Sequence, residues 1–222
     1  MRPLLPTILL SALTAGCIPY ATGTTPAPVA TGEFAPSLLF YFVPGGMENL
    51  TNGDSTFDGS LLGWDTEVRY GVNAQSDLGV RIPGMTGVVV NYKRLLTTPG
   101  DTGPALAALI GTGVVNAGEH WLGEASLLVS SAPGGDLTPY GGLKAMHVLP
   151  LTPDAVSDDP TVGLFGGLRI GSEETGLSVE VGVFYDRPAL GLRDRDWIVV
   201  PSFTLHGNRF LEALMSGGRG WP

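Results

Sequence analysis

A single cysteine, Cys17, stands in 222 residues, and only 15% of the chain is charged. One thiol cannot form an internal disulfide framework, so packing and hydrogen bonding must hold the fold together. The 12 Lys and Arg, set against 21 Asp and Glu and scattered along the chain, cannot make the basic footprint that binds a phosphate backbone, so no nucleic acid partner is expected. After the first sixteen residues no apolar run approaches the roughly 18 residues of a spanning helix. The sequence also lacks H-E-x-x-H, a G-x-S-x-G elbow and a G-x-x-x-x-G-K-[ST] loop. No catalytic residue, metal ligand or cofactor is therefore assigned, and the chain is not read as an enzyme. What is plentiful is Gly, with 33 residues, beside 18 Pro, which suits many short strands and turns better than a helical bundle.

The first residues read as a removable leader. Arg2 supplies the positive start, Leu4 to Leu13 the apolar stretch, and Ala15-Gly16 the small residues before Cys17. The run Leu13-Thr-Ala-Gly-Cys17 resembles a bacterial lipobox. That resemblance implies diacylglycerol on the Cys17 thiol and cleavage before it, which brings in lipoprotein-processing machinery as a partner. Ile18, in place of an Asp, implies transfer to the outer membrane by similarity to known sorting rules. The division expected is 1–16 signal peptide, 17–36 acylated cysteine and Pro/Thr-rich tether, 37–207 barrel, and 208–222 tail. The tether carries Pro19, Pro26, Pro28 and Pro36 among Thr, Ala and Gly and is expected to be extended.

Beyond it the chain alternates with period two. Trp64, Thr66, Val68, Tyr70 and Val72 oppose Asp65, Glu67, Arg69 and Gly71; after a turn, Leu78, Val80 and Ile82 oppose Asp77, Gly79 and Arg81. Val88, Val90 and Tyr92 continue the pattern against Asn91 and Lys93. In the carboxyl half Val162, Leu164, Leu168 and Ile170 oppose Phe165, Gly167 and Arg169. Val179, Val181 and Val183 oppose Glu180 and Gly182, and Trp197, Val199 and Phe203 oppose Ser202 and Thr204. Weaker segments lie at 37–43, 104–116, 119–131 and 138–149, and Pro104 to Ile110 also admits a helical turn. The count is eight to ten strands with short turns: an all-β, antiparallel up-and-down barrel.

Such strands permit two orientations, with the apolar face turned to a dry core or to lipid. The charged face is sparse, with single long charges beside Gly71, Gly79, Gly87, Gly167 and Gly182, which fits a crowded enclosed lumen. The lumen network is thus assigned to Glu67, Arg69, Arg81, Lys93, Arg169 and Glu180. The lipid face is assigned to Val68, Tyr70, Val80, Val90, Val181, Val183 and Phe203. Trp64, Trp121 and Trp197 near strand starts, with Tyr70, Tyr92 and Tyr185 near strand ends, match interfacial girdles. The alternative is a soluble, tethered periplasmic barrel or sandwich with Val181 and Phe203 lining a cavity for a hydrophobic ligand.

The succession Glu67-Val-Arg-Tyr-Gly-Val72, Asp77-Leu-Gly-Val-Arg81 and Asn91-Tyr-Lys93 resembles a hairpin repeat of small uncharacterised bacterial outer-membrane β-barrel proteins, many with lipoprotein signals. The resemblance covers residues 62–95 and implies fold and location: a lipid-anchored barrel in the outer membrane, with outer-membrane lipid and the barrel-assembly machinery as partners. The group has no agreed activity to carry over, and the role expected of this chain is structural or a minor passage of small solutes, with no catalysis. Such barrels usually finish on a strand with a terminal aromatic residue, whereas here Phe210 and Trp221 lie in a Gly-rich tail.

The remaining candidates are thin. His120 and Glu124 share a strand face but lack the further ligands of a zinc site. Asp154, Asp158 and Asp159 form an acidic loop without calcium-loop spacing. Arg187 to Asp196 alternates in sign, as a polar loop held by its own ion pairs does.

Overall fold

The computed structural model describes residues 18–43, 61–97, 103–131, 137–153, 159–171, 176–186 and 196–207. Ten strands follow one another: β1 (Phe34–Val43), β2 (Leu61–Asn73), β3 (Ser76–Pro83), β4 (Val88–Leu95), β5 (Ala105–Val115), β6 (His120–Ser130), β7 (Leu137–Pro150), β8 (Thr161–Gly171), β9 (Gly176–Asp186) and β10 (Asp196–His206). Each pairs antiparallel with its neighbour, and β1 pairs with β10 to close the barrel. Closure leaves no free sheet edge, which is the condition for a sheet to stand in hydrocarbon.

The local chemistry explains the strands. Valine-rich alternation gives β2 to β4 and β8 to β10 their extended form. The β3–β4 connection turns at Gly84 and Met85, both with positive φ (50° and 63°), and Thr86 N donates to Pro83 O at 2.9 Å. Positive φ at both central residues belongs to the turns that match the twist of paired strands. The segment that by sequence also admits a helical turn, Pro104 to Ile110, is strand from Ala105 onward: Ala105 to Leu109 alternate inward and outward and pair with β6. Pairing with β4 from Ala107 and with β6 from Ala105 decides a sequence whose Ala and Leu suit either form.

β1 begins at Phe34, three residues before the expected boundary. The larger departure concerns residues 18–29, expected as a tether outside the fold. They run through the barrel's interior, and Pro19 to Thr25 are buried. The reason is visible in the composition: residues 18–32 contain no charged side chain. They are small and narrow enough for the lumen, and their main-chain polar groups meet wall side chains there. Cys17, the leader, the 208–222 tail, Asp154, Asp158 and Arg187 to Arg195 lie outside the described residues.

Candidate functional site

The lumen and its occupant form the site. Alternation places Glu67, Arg69, Arg81, Lys93 and Glu180 inside the barrel and buried, while Arg169 faces a small interior cavity and is half-buried. Val68, Tyr70, Val80, Val90, Val181, Val183 and Phe203 all point outward. The contrast between adjacent residues is sharp: Glu67 is 1% exposed and Val68 44%. Val181 and Phe203, at 45% and 43%, do not line an interior cavity, so the hydrophobic-ligand alternative loses the residues it required.

Cross-strand register assembles the charges. Glu67 stands opposite Arg81, and Asp77 opposite Lys93. Arg81 donates to Glu67 Oε2 at 3.0 Å, and Arg69 donates to Glu67 Oε1 at 2.7 Å and to Asp77 Oδ1 at 2.5 Å. Lys93 Nζ lies 3.2 Å from Asp77 Oδ2. Arg69, Gly79 and Asn91 form one row across three strands. A side chain on Gly79 would sit 2.5 Å from Asn91 Oδ1 and 2.8 Å from Arg69 Nη1, so glycine is what lets Arg69 reach Asn91 at 2.6 Å. Sequence reasoning missed Asp77 as a member of the network, although its alternation with Arg81 was the signal. It also missed Lys144, which pairs with Glu124 at 3.2 Å.

The wall also holds the N-terminal segment, largely through its main chain. Lys144 Nζ donates to Pro19 O at 2.5 Å, and Arg81 donates to Ala21 O and Thr22 O, each at 3.0 Å. Glu180 accepts from Thr22 N at 2.9 Å and Gly23 N at 3.3 Å. Lys93 Nζ donates to Thr25 O at 2.9 Å and Ala27 O at 2.7 Å, and Asp77 Oδ2 accepts from Val29 N at 3.0 Å. Tyr20 donates to Asp186, and its ring lies 5.5 Å from Phe184 and 6.2 Å from Tyr41. Buried main-chain groups need partners, and here the long ionised side chains of the wall provide them. Near Gly71 the segment comes so close that a Cβ there would collide with the Ala30 carbonyl, and Gly32 N donates to Gly71 O at 2.8 Å.

A cavity of about 40 Å³ of mixed polar and apolar lining lies between segment and wall, bounded in part by Ala27, Val29, Glu67, Arg69, Lys93, Arg169 and His206. It has room for a few waters. His206 shares a 2.8 Å hydrogen bond with Ser178, and His120 lies 3.3 Å from Asn116 Nδ2. Glu124, which shares the interior face with His120, is engaged by Lys144 instead of forming a ligand pair. Among the described residues no three His, Cys, Asp or Glu side chains are grouped to hold a metal ion.

The exterior is the reverse of the lumen. Among the described strand side chains, Arg94 is the one Asp, Glu, Lys or Arg that points outward. Aromatics mark the two rims: Trp121, Trp197 and Tyr185 toward the end where β2 begins, with Phe34 and Tyr70 toward the other. Tyr185 and Trp197 lie 5.3 Å apart and Phe34 and Tyr70 4.9 Å apart. An apolar band between two aromatic rims, wrapped around a charged interior, is the polarity of a barrel surrounded by hydrocarbon.

No protein-family model matches the chain, and no curated relative does. Several solved barrels are similar in outline. The attachment invasion locus protein Ail of Yersinia pestis, in complex with the heparin analogue sucrose octasulfate, is 11% identical at a TM-score of 0.31, covering 79% of this chain and 96% of its own. The N-terminal β-barrel domain of Pseudomonas aeruginosa OprF is 10% identical at 0.32, covering 79% and 98%. OprG of the same organism is 12% identical at 0.30, covering 82% and 99%. At these values the likeness carries no argument about function, which must come from this chain's own geometry.

Proposed function

We propose that this chain is an outer-membrane barrel of structural role, acylated at Cys17, whose lumen is closed by its own N-terminal segment. The observation that carries the reading is the reversed polarity of the wall, with ionised side chains inside and valine, leucine and aromatic side chains outside. A soluble barrel with that exterior would present an apolar belt to water far larger than a monomer tolerates. The small-solute route is the weaker half of the expectation, because residues 18–29 occupy the path. No catalytic role is part of this reading: among the described residues the lumen's carboxylates and cations engage one another and the segment, and the Ser178–His206 hydrogen bond joins β9 to β10. Outer-membrane lipid, the lipoprotein-processing enzymes and the barrel-assembly machinery are the partners this reading requires.

The test uses the full chain, expressed in a bacterium with an outer membrane and fed an alkyne fatty acid. Resistance to urea extraction from the outer-membrane fraction, with label that disappears in Cys17→Ser, is the expected result. Release of folded protein by urea would overturn the membrane barrel. Label that persists in Cys17→Ser would overturn the anchor.

A further inference from the structure

The N-terminal segment enters the barrel at one mouth and leaves at the other. Tyr20 meets Asp186, the last residue of β9, at the mouth where β2, β4, β6, β8 and β10 begin. Ala21 to Gly23 lie at mid-depth against Arg81 and Glu180, and Thr24 to Ala27 lie lower against Lys93. Val29 meets Asp77 beside the β2–β3 turn, and Thr31 bridges to Gly71 before β1 starts. The contacts follow chain order from mouth to mouth. At up to about 3.3 Å per residue, residues 18–29 reach roughly 40 Å, more than the ~25 Å apolar band of an outer-membrane barrel.

The two mouths differ in their connections. The mouth near Tyr20 carries the connections 44–60, 84–87, 116–119, 151–160 and 187–195, and the mouth where β1 starts carries 74–75, 96–104, 131–136 and 172–175, so the two longest, 44–60 and 151–160, lie at the first and the shortest, 74–75, at the second. Outer-membrane barrels place short turns toward the periplasm and long loops toward the exterior. From this threading and this asymmetry we infer that residues 18–29 cross the outer membrane inside their own barrel and present the chain before Ile18 at the cell exterior. An acyl group on Cys17, which rests on the function proposed above, then enters the outer leaflet, on the face opposite the start of β1.

Assembly does not require a lipid to be pulled through a filled lumen. β1 and β10 pair from Ser37↔His206 to Tyr41↔Ser202, whereas β9 and β10 pair from Asp196↔Asp186 to His206↔Gly176. The β1–β10 seam is the short one, and both its strands bracket the segment in sequence or in space, as Gly23 beside Leu39 and Thr204 shows. The ring can therefore close around the segment as its last step.

The experiment places one epitope in each of three full-length chains: between Cys17 and Ile18, within 151–160, or within 131–136. Antibody binding is compared on intact and outer-membrane-permeabilised cells. A heat-modifiable gel band identifies the folded population, and alkyne fatty acid reports acylation separately. The expected result is that the Cys17 and 151–160 epitopes bind antibody on intact cells and the 131–136 epitope only after permeabilisation. A Cys17 epitope that behaves like 131–136 overturns the threading. A hidden 151–160 epitope with an exposed 131–136 one overturns the exterior assignment. Loss of fatty-acid label with the expected epitope pattern rejects acylation and leaves the threading standing. Should the Cys17 insertion lack the heat-modifiable band, protease applied to intact cells bearing the 151–160 epitope decides instead. Expected there is removal of the N-terminal peptide at or before Ile18; its survival until permeabilisation overturns the inference.

Discussion

The wall formed by β2 to β4 and the wall formed by β7 to β9 both line the lumen with charge, yet they satisfy it differently. On β2 to β4, Glu67, Arg69, Asp77, Arg81 and Lys93 pair with one another across adjacent strands, at 2.5 to 3.2 Å. On the opposite wall Glu180 takes hydrogen bonds from Thr22 N, Gly23 N and Tyr140, while Asp186 takes them from Tyr20 and Thr161. The first wall is polar within itself and lends spare donors to the segment. The second is completed by the segment. The lumen is therefore one network in which half is built by strand register and half by a chain portion far away in sequence.

The largest effect should come from breaking the self-contained half. Glu67→Ala removes the carboxylate shared by Arg69, Arg81 and Asn91, all buried. Stranding buried cations costs about 3–5 kcal/mol, to be read as a lowered urea midpoint for the barrel refolded into vesicles. The double substitution Glu67→Leu with Arg81→Leu should cost much less than the two single losses added together, because no unpaired charge remains. Additive losses would show that these residues do not act as a pair. Next in size is the outer face of the second wall. Val181 lies at the middle of β9 and points outward, so Val181→Arg should cost about 2–4 kcal/mol in the same assay. A midpoint unchanged by that substitution would mean that β9 does not face hydrocarbon.

The difference between the walls also explains what could be read from the sequence. Alternation from Trp64 to Lys93 carries both faces of three consecutive strands, and the ion pairs join residues at most a hairpin apart. Local periodicity is enough to find them. The strand count stayed between eight and ten because β5 and β7 carry Ala and Gly pairs, such as Ala107-Ala108 and Gly141-Gly142, that blur the faces. The contacts of Lys144 with Pro19 and of Glu180 with Thr22 span more than a hundred residues. No spacing announces them. The feature that suits the segment to the lumen is compositional: residues 18–32 carry no charged side chain that would have to be desolvated there.

The smallest change sharpens the comparison most, because it alters the completed half without a change of size. Glu180→Gln keeps an oxygen for Thr22 N but replaces the second acceptor with an amide that cannot accept from Gly23 N or Tyr140. The loss should be about 1–2 kcal/mol, since charged acceptors exceed neutral ones by that order. It should be local. Hydrogen exchange on the detergent-solubilised full chain should show faster exchange at the amides of Thr22 and Gly23, while those of β2 to β4 keep their protection. Equal loosening around the whole ring would mean that the segment is integral to every wall. Unchanged protection at Thr22 would mean that Glu180 does not hold it. The expected pattern, with the segment released ahead of the barrel, follows from a lumen in which β2 to β4 supply their own countercharges and the carboxylates of β9 take neutral hydrogen-bond donors from the threaded chain.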